Sequence, residues 1–145
     1  MRIYISGPMT GQKDLNRKAF ADVAFTLQSK GHFVINPHEL AEKFGTVDQI
    51  ANSFKAYYEG AAQIYPNGSY RLAQSVMDAE LAAVRSCDAI YLLRGWESSR
   101  GARKELSEAI AHGLSIILEP ASAEATARQA PASAKGCGAM KGAEA

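Results

Sequence analysis

Glu105 is the residue whose surroundings most invite chemistry. It lies four residues after Gly101 in CDAIYLLRGWESSRGARKE, residues 87–105, where an apolar run passes into a loop and a helix begins. Ser98, Ser99 and Gly101 fall where the free N–H groups of that helix would point. An anion cradle beside a positioned carboxylate suits chemistry on a phosphorylated small molecule. Ala102 and Ala109, three before and four after, put Glu105 on or beside the buried face of the helix. A carboxylate there is costly unless it is paired or used. The alternative is an exposed first-turn Glu that complements the helix dipole. Ser98 and Ser99 likewise read either as anion ligands or as an ordinary helix cap. Arg94, Arg100, Arg103 and Lys104 raise the potential of the loop or are simply solvated.

Asp78, in MDAEL, is a second carboxylate. Mid-helix Asp is mildly unfavourable, so it reads either as a working group or as a solvated position. Asp88 reads as a turn residue. A second loop, SGPMTG at 6–11, follows the first apolar run. Gly7, Pro8 and Met9 there would let a ligand approach the backbone closely. Tyr4, just before, either brings its hydroxyl to that loop or fills the core. Asn16 offers a polar contact at the start of the next helix, and Trp96 either walls off a planar ligand or packs on the surface. His32, His38 and His112 have no metal-ligand spacing, so neither metal nor cofactor is expected. The absence of GxxxxGK[ST] and GxGxxG withdraws support from ATP hydrolysis and dinucleotide chemistry.

These residues need elements to position them. β-Branched and aromatic residues at 2–6, 33–35, 89–93 and 115–118 predict four strands. Helical spacing predicts helices over 14–30, 70–86 and 101–112, with Gly31 and Gly113 as stops. Two further helices, at 38–44 and 47–62, complete the pattern, the second ending before Pro66-Asn67-Gly68. Strands alternating with helices predict one α/β domain over residues 1–119, an α/β/α sandwich around a parallel sheet of four to five strands. Ligands of such sheets bind beyond the carboxyl ends of the strands, which puts loops 6–13, 36–38, 94–100 and 119 onward on one rim. Residues 120–145 are rich in Ala, Ser, Gly and Lys and read as a low-complexity, disordered tail.

Bulk properties narrow the partners. The chain has 145 residues, 47% of them hydrophobic and 21% charged, with a formal net charge of +1. No strong field favours nucleic acid or an anionic membrane. No run of 18 apolar residues exists to span a bilayer. MRIYISG reads as a strand entering a loop rather than as a signal peptide. Cys87 and Cys137 make no disulfide framework, and a reducing cytoplasm is the simplest setting.

Together, YISGPMTG, the helix–strand unit running from Asp78 and Leu81 into CDAIYLL, and GWESSRGARKE resemble the nucleoside 2-deoxyribosyltransferase superfamily. The resemblance covers about residues 2–118 and is nearest to the small phage and bacterial proteins of that group. It implies a flavodoxin-like (Rossmann-like) sheet and cleavage of an N-glycosidic bond in a nucleoside or nucleotide. The catalytic Glu of the family's Gly-x-x-x-Glu motif falls on Glu105, after Gly101. Its strand-1 tyrosine, three residues before a glycine, falls on Tyr4 and Gly7. Its mid-helix Asp falls on Asp78, with Asp88 following.

The resemblance further implies that Glu105 attacks C1′, that Tyr4 orients it, and that Asp78 holds the sugar or helps protonate the leaving base. The Ser-x-Gly-x-x-x-Glu spacing of Ser99, Gly101 and Glu105 is similar to that of hydrolases acting on 2′-deoxynucleoside 5′-phosphates, where the serine binds the phosphate. Transferases acting on free nucleosides carry an acidic residue near this loop instead, and Glu97 leaves that alternative open. A nucleotide-binding module without turnover is a third expectation. The resemblance also implies a homo-oligomer. Phe54, Tyr57, Tyr58 and Tyr65 would serve as an interface or as core cover, in a segment, 47–66, longer than is usual for these proteins.

Overall fold

The computed structural model describes residues 1–59 and 70–121. Four strands form one sheet: β1 (Arg2–Ser6), β2 (Phe33–Ile35), β3 (Ala89–Leu92) and β4 (Ser115–Leu118). Among the described residues five helices connect and flank them: α1 (Arg17–Ser29), α2 (Pro37–Ala41), α3 (Val47–Tyr58), α4 (Arg71–Arg85) and α5 (Arg100–Ala111). The strand order is β2-β1-β3-β4, and every pairing is parallel. From β1 the chain goes to one side for β2 and to the other for β3. A crevice therefore opens beyond the carboxyl ends of β1 and β3.

The period-2 alternation of β1 feeds two cores. Ile3 and Ile5 pack with Phe20, Ala24 and Leu27 of α1 on one face. Tyr4 points to the other face, with Val84 of α4, Ile90 and Leu92 of β3 and Ala109 of α5. The α/β/α sandwich expected from the alternation of elements is what the chain forms, with four strands among the described residues.

The helix starts follow local hydrogen-bond chemistry. Asn36 Oδ1 accepts from the His38 N–H at α2, with Pro37 at the first helical position. Thr46 and Gln49 make a reciprocal capping box at α3. Ser99 Oγ accepts from the Ala102 N–H at α5.

One boundary departs from expectation. The periodicity predicts a helix from residue 14, whereas α1 starts at Arg17. Asp14, Leu15 and Asn16 all adopt left-handed backbone, with φ of 50°, 53° and 60°. The Asn16 amide donates to the Pro8 carbonyl (3.0 Å) and the Leu15 N–H to the Gln12 carbonyl (3.0 Å). These bonds tie the turn to the β1–α1 loop, which propensity alone does not report. The expected helix over 47–62 stops at Tyr58. Tyr65, the Pro66-Asn67-Gly68 stop and the tail from residue 122 lie outside the described residues. Among the described residues no helix is long and apolar enough to cross a membrane.

Candidate active site

The centre of the site is a carboxylate held by two hydroxyls from one strand. Tyr4 and Ser6 are two residues apart on β1 and so share a face. Tyr4 Oη donates to Glu105 Oε2 and Ser6 Oγ to Glu105 Oε1, each at 2.5 Å. Glu105 sits one turn into α5 and is 6% exposed. Burial pushes its carboxyl up to about 7, against the opposing pull of the Ser6 and Tyr4 hydrogen bonds. Tyr4 is fully buried, and desolvation first, then the Glu105 charge, hold its phenol well above the ordinary range. It is a fixed donor.

Glu80 is the second buried carboxylate. It stands on the apolar stripe of α4 with Ala73, Val76, Met77 and Val84 and is 6% exposed. Burial, reinforced by the Glu105 charge, raises its carboxyl well above the usual range. Two interacting carboxyls that are both raised titrate as a pair rather than independently.

Both carboxylates line a cavity of about 290 Å³ at the rim, near the lower end of the ~300–1,000 Å³ typical of small-molecule sites. Pro8 and Met9 of the β1–α1 loop, Phe54 and Tyr58 of α3, and Ser99 and Lys104 at α5 contribute to its walls. Arg17 and Glu42 also line it and pair at 3.3 Å. His38 lines it too; among the described residues its buried Nε2 has no hydrogen-bond partner, and burial, then Arg17, lower its pKa.

The structure brings together Glu105, Tyr4, Pro8, Met9, Ser98, Ser99 and Gly101. It places others elsewhere. Asp78 is exposed, accepts from Gln74 Nε2 at 3.3 Å and lies outside the cavity lining. One helical position is about 100°, so Asp78 and Glu80, two apart, face different ways. Glu80 holds the interior position expected of Asp78. Asp88 Oδ2 accepts from the Arg2 N–H, the turn role expected of it. Trp96 packs against the core cluster around Tyr4 rather than walling the cavity. Asn16 braces the β1–α1 loop through Pro8. Gly7 serves packing rather than ligand approach, because an added Cβ would come within 2.7 Å of Leu93 Cβ.

The two serines also differ. Ser98 Oγ donates to the Gly95 carbonyl at 2.9 Å, so its proton is engaged. Ser99 Oγ accepts from Ala102 and keeps its own proton for a ligand. Glu97 is exposed and lies outside the cavity lining. Ser6 and Glu80 are the residues that sequence reasoning missed. Ser6 shares the strand face of Tyr4, and Glu80 interrupts an apolar helical stripe, so each carried a readable signal.

Fold and site define a parallel α/β protein with a buried carboxyl pair at the switch point of its sheet. The chain belongs to a domain family of unknown function, DUF4406, which matches residues 1–118. No curated protein matches the chain.

Proposed function

We propose that the chain hydrolyses the N-glycosidic bond of a (deoxy)nucleoside 5′-monophosphate. The observation that carries this reading is the clamp of Tyr4 and Ser6 on Glu105 inside a rim cavity. Two hydroxyls on two oxygens aim one carboxylate and pull its pKa down against the rise that burial imposes, which leaves the ionised form populated at neutral pH, as a nucleophile at C1′ requires.

In the first step a Glu105 oxygen bonds to C1′ as the C1′–N bond breaks. The electron pair leaves with the base, and protonated Glu80 supplies its proton. Water then attacks C1′ and gives a proton to Glu80. Glu105 departs as carboxylate, and the products are free base and sugar phosphate. The route uses one ionised and one protonated carboxyl, the state that a raised, interacting pair holds near neutral pH. No metal or organic cofactor enters it.

The free hydroxyl of Ser99 and the N–H groups at the start of α5 are the groups for the 5′-phosphate. The exclusion of Glu97 from the cavity lining favours a phosphate over a bare 5′-hydroxyl. A reducing cytoplasm and a homo-oligomer belong to the proposal, the first consistent with the free, buried Cys87.

A panel of ribo- and deoxyribonucleoside monophosphates and the matching nucleosides, read by chromatography of released base, tests the reading. Base release from the phosphorylated members supports it. Exchange onto an added second base, with no net hydrolysis, would make the chain a transferase. Saturable binding without release would make it a nucleotide-binding module.

A further inference from the structure

One wall of the cavity is α3, and its Tyr58 takes no part in the steps above. Its ring lines the cavity and stacks on Phe54, with centroids 5.9 Å apart. The Arg100 guanidinium lies 5.2 Å from the ring centroid, and Arg100 Nη1 donates to the Tyr58 carbonyl at 3.3 Å. Tyr58 is thus tied to the first residue of α5.

Its hydroxyl ends at a specific place. A Cβ built on Gly101 would lie 3.4 Å from Tyr58 Oη and 4.0 Å from Ser99 Oγ. The missing side chain of Gly101 leaves open the space between two hydroxyls. Ser99 Oγ already accepts from Ala102, so its proton is available. Among the described residues the Tyr58 hydroxyl has no hydrogen-bond partner. Burial, then the charges of Glu105 and Glu80, push the phenol up to about 12, so it stays a donor at any working pH. A committed donor beside a guanidinium is matched to an anionic oxygen, where hydrogen bonds are strongest.

We propose that Tyr58 selects the phosphorylated substrate: its hydroxyl donates to a phosphate oxygen seated between Tyr58, Ser99 and the backbone of Gly101. Arg100, stacked on the ring, adds positive charge. This inference rests on the nucleotide reading and extends it to a residue from α3, an element outside the motifs that carry the clamp.

The test is Tyr58→Phe, which keeps the ring and its stacking. Loss of one hydrogen bond to a charged group predicts a KM for the deoxynucleoside monophosphate raised about 10- to 100-fold with kcat preserved. The kinetics of the matching nucleoside stay unchanged. Equal losses on both substrates, or no loss on either, overturn the assignment.

Calorimetric binding of the same two compounds to wild type and Tyr58→Phe separates this inference from the hydrolase reading. If wild type binds the monophosphate without cleaving it, and Tyr58→Phe weakens only that binding, the hydrolase reading fails and the role of Tyr58 stands. If wild type turns the monophosphate over and Tyr58→Phe changes nothing, only the Tyr58 assignment fails. If wild type binds neither compound, both fail.

Discussion

The hydroxyl of Tyr4 donates to Oε2 of Glu105 at 2.5 Å across 101 residues of sequence. Tyr4 points into the core beneath α4 and α5, and Glu105 comes down from α5 to meet it. Ser6 holds the other oxygen from the same strand face. The carboxylate therefore has both position and charge set by β1, the strand second from the sheet edge and paired on both sides.

Removing either hydroxyl withdraws a bond that favours the ionised form of Glu105. Tyr4→Phe and Ser6→Ala should each move the acidic limb of the pH–rate profile upward by about 1 to 2 pH units. A profile that falls in height but keeps its shape would mean that the hydroxyls do not govern the ionisation of Glu105.

Glu80 and Asp78 are neighbours in sequence with opposite surroundings, and their substitutions should separate cleanly. Glu80→Gln should lower kcat about 10²- to 10⁴-fold, the range of a lost general acid. Asp78→Asn should leave kcat within about twofold, as expected of an exposed position away from the site. Comparable effects of the two substitutions on base release would remove Glu80 from the mechanism.

The buried carboxyl also makes a stability prediction. The folded-state pKa of Glu105 is raised from 4.5 to about 7. Its contribution to stability is full below the unfolded value of 4.5 and is lost as pH rises through about 7. At about 1.4 kcal/mol per pH unit, the loss amounts to about 3 kcal/mol. Denaturant melts should therefore show wild type losing stability between pH 4.5 and 7.5, and Glu105→Gln, which keeps the raised Glu80 carboxyl, losing about 3 kcal/mol less. Parallel pH dependence in the two proteins would contradict the raised pKa of the buried Glu105 carboxyl.

Gly7 offers a test of packing. An added Cβ would meet Leu93 Cβ at 2.7 Å and Leu93 Cδ1 at 2.9 Å, both inside a tight core. Gly7→Ala should cost about 1–3 kcal/mol, as overpacking does. Thermal unfolding should register it as a Tm lower by several degrees. An unchanged Tm would show that the β1–α1 loop has room to move.

Much of this arrangement was legible in the residues. The residues of RIYIS and the apolar run at 89–93 carried the two central strands, because a parallel strand buried on both faces has few other sequences available to it, and the apolar run at 115–118 marked an edge strand that is largely exposed. Gly101 and Glu105, four apart on a helix leaving the rim, carried the carboxylate. What went astray was angular. Asp78 looked informative because a mid-helix Asp is unusual, yet the stripe of Ala73, Val76, Met77 and Val84 already encloses Glu80. Ser6 belongs to both the strand 2–6 and the loop 6–11, and only period 2 along the strand puts it beside Tyr4. Of the two readings open for Trp96 the structure takes packing, and the close ligand approach expected at Gly7 gives way to contact with Leu93. The left-handed turn at Asp14, Leu15 and Asn16 had no local signal, since it depends on bonds to Pro8 and Gln12 that only the folded loop supplies.

The most direct measurement is the release of free base from a 2′-deoxynucleoside 5′-monophosphate by wild type and by Glu105→Gln at pH 7, with circular dichroism to show that both are folded. Wild type should release base and sugar phosphate in equal amounts. Glu105→Gln, which keeps the side-chain shape but cannot form the glycosyl ester, should be slower by at least about 10³-fold, as for lost nucleophiles. Undiminished base release by Glu105→Gln would contradict the account.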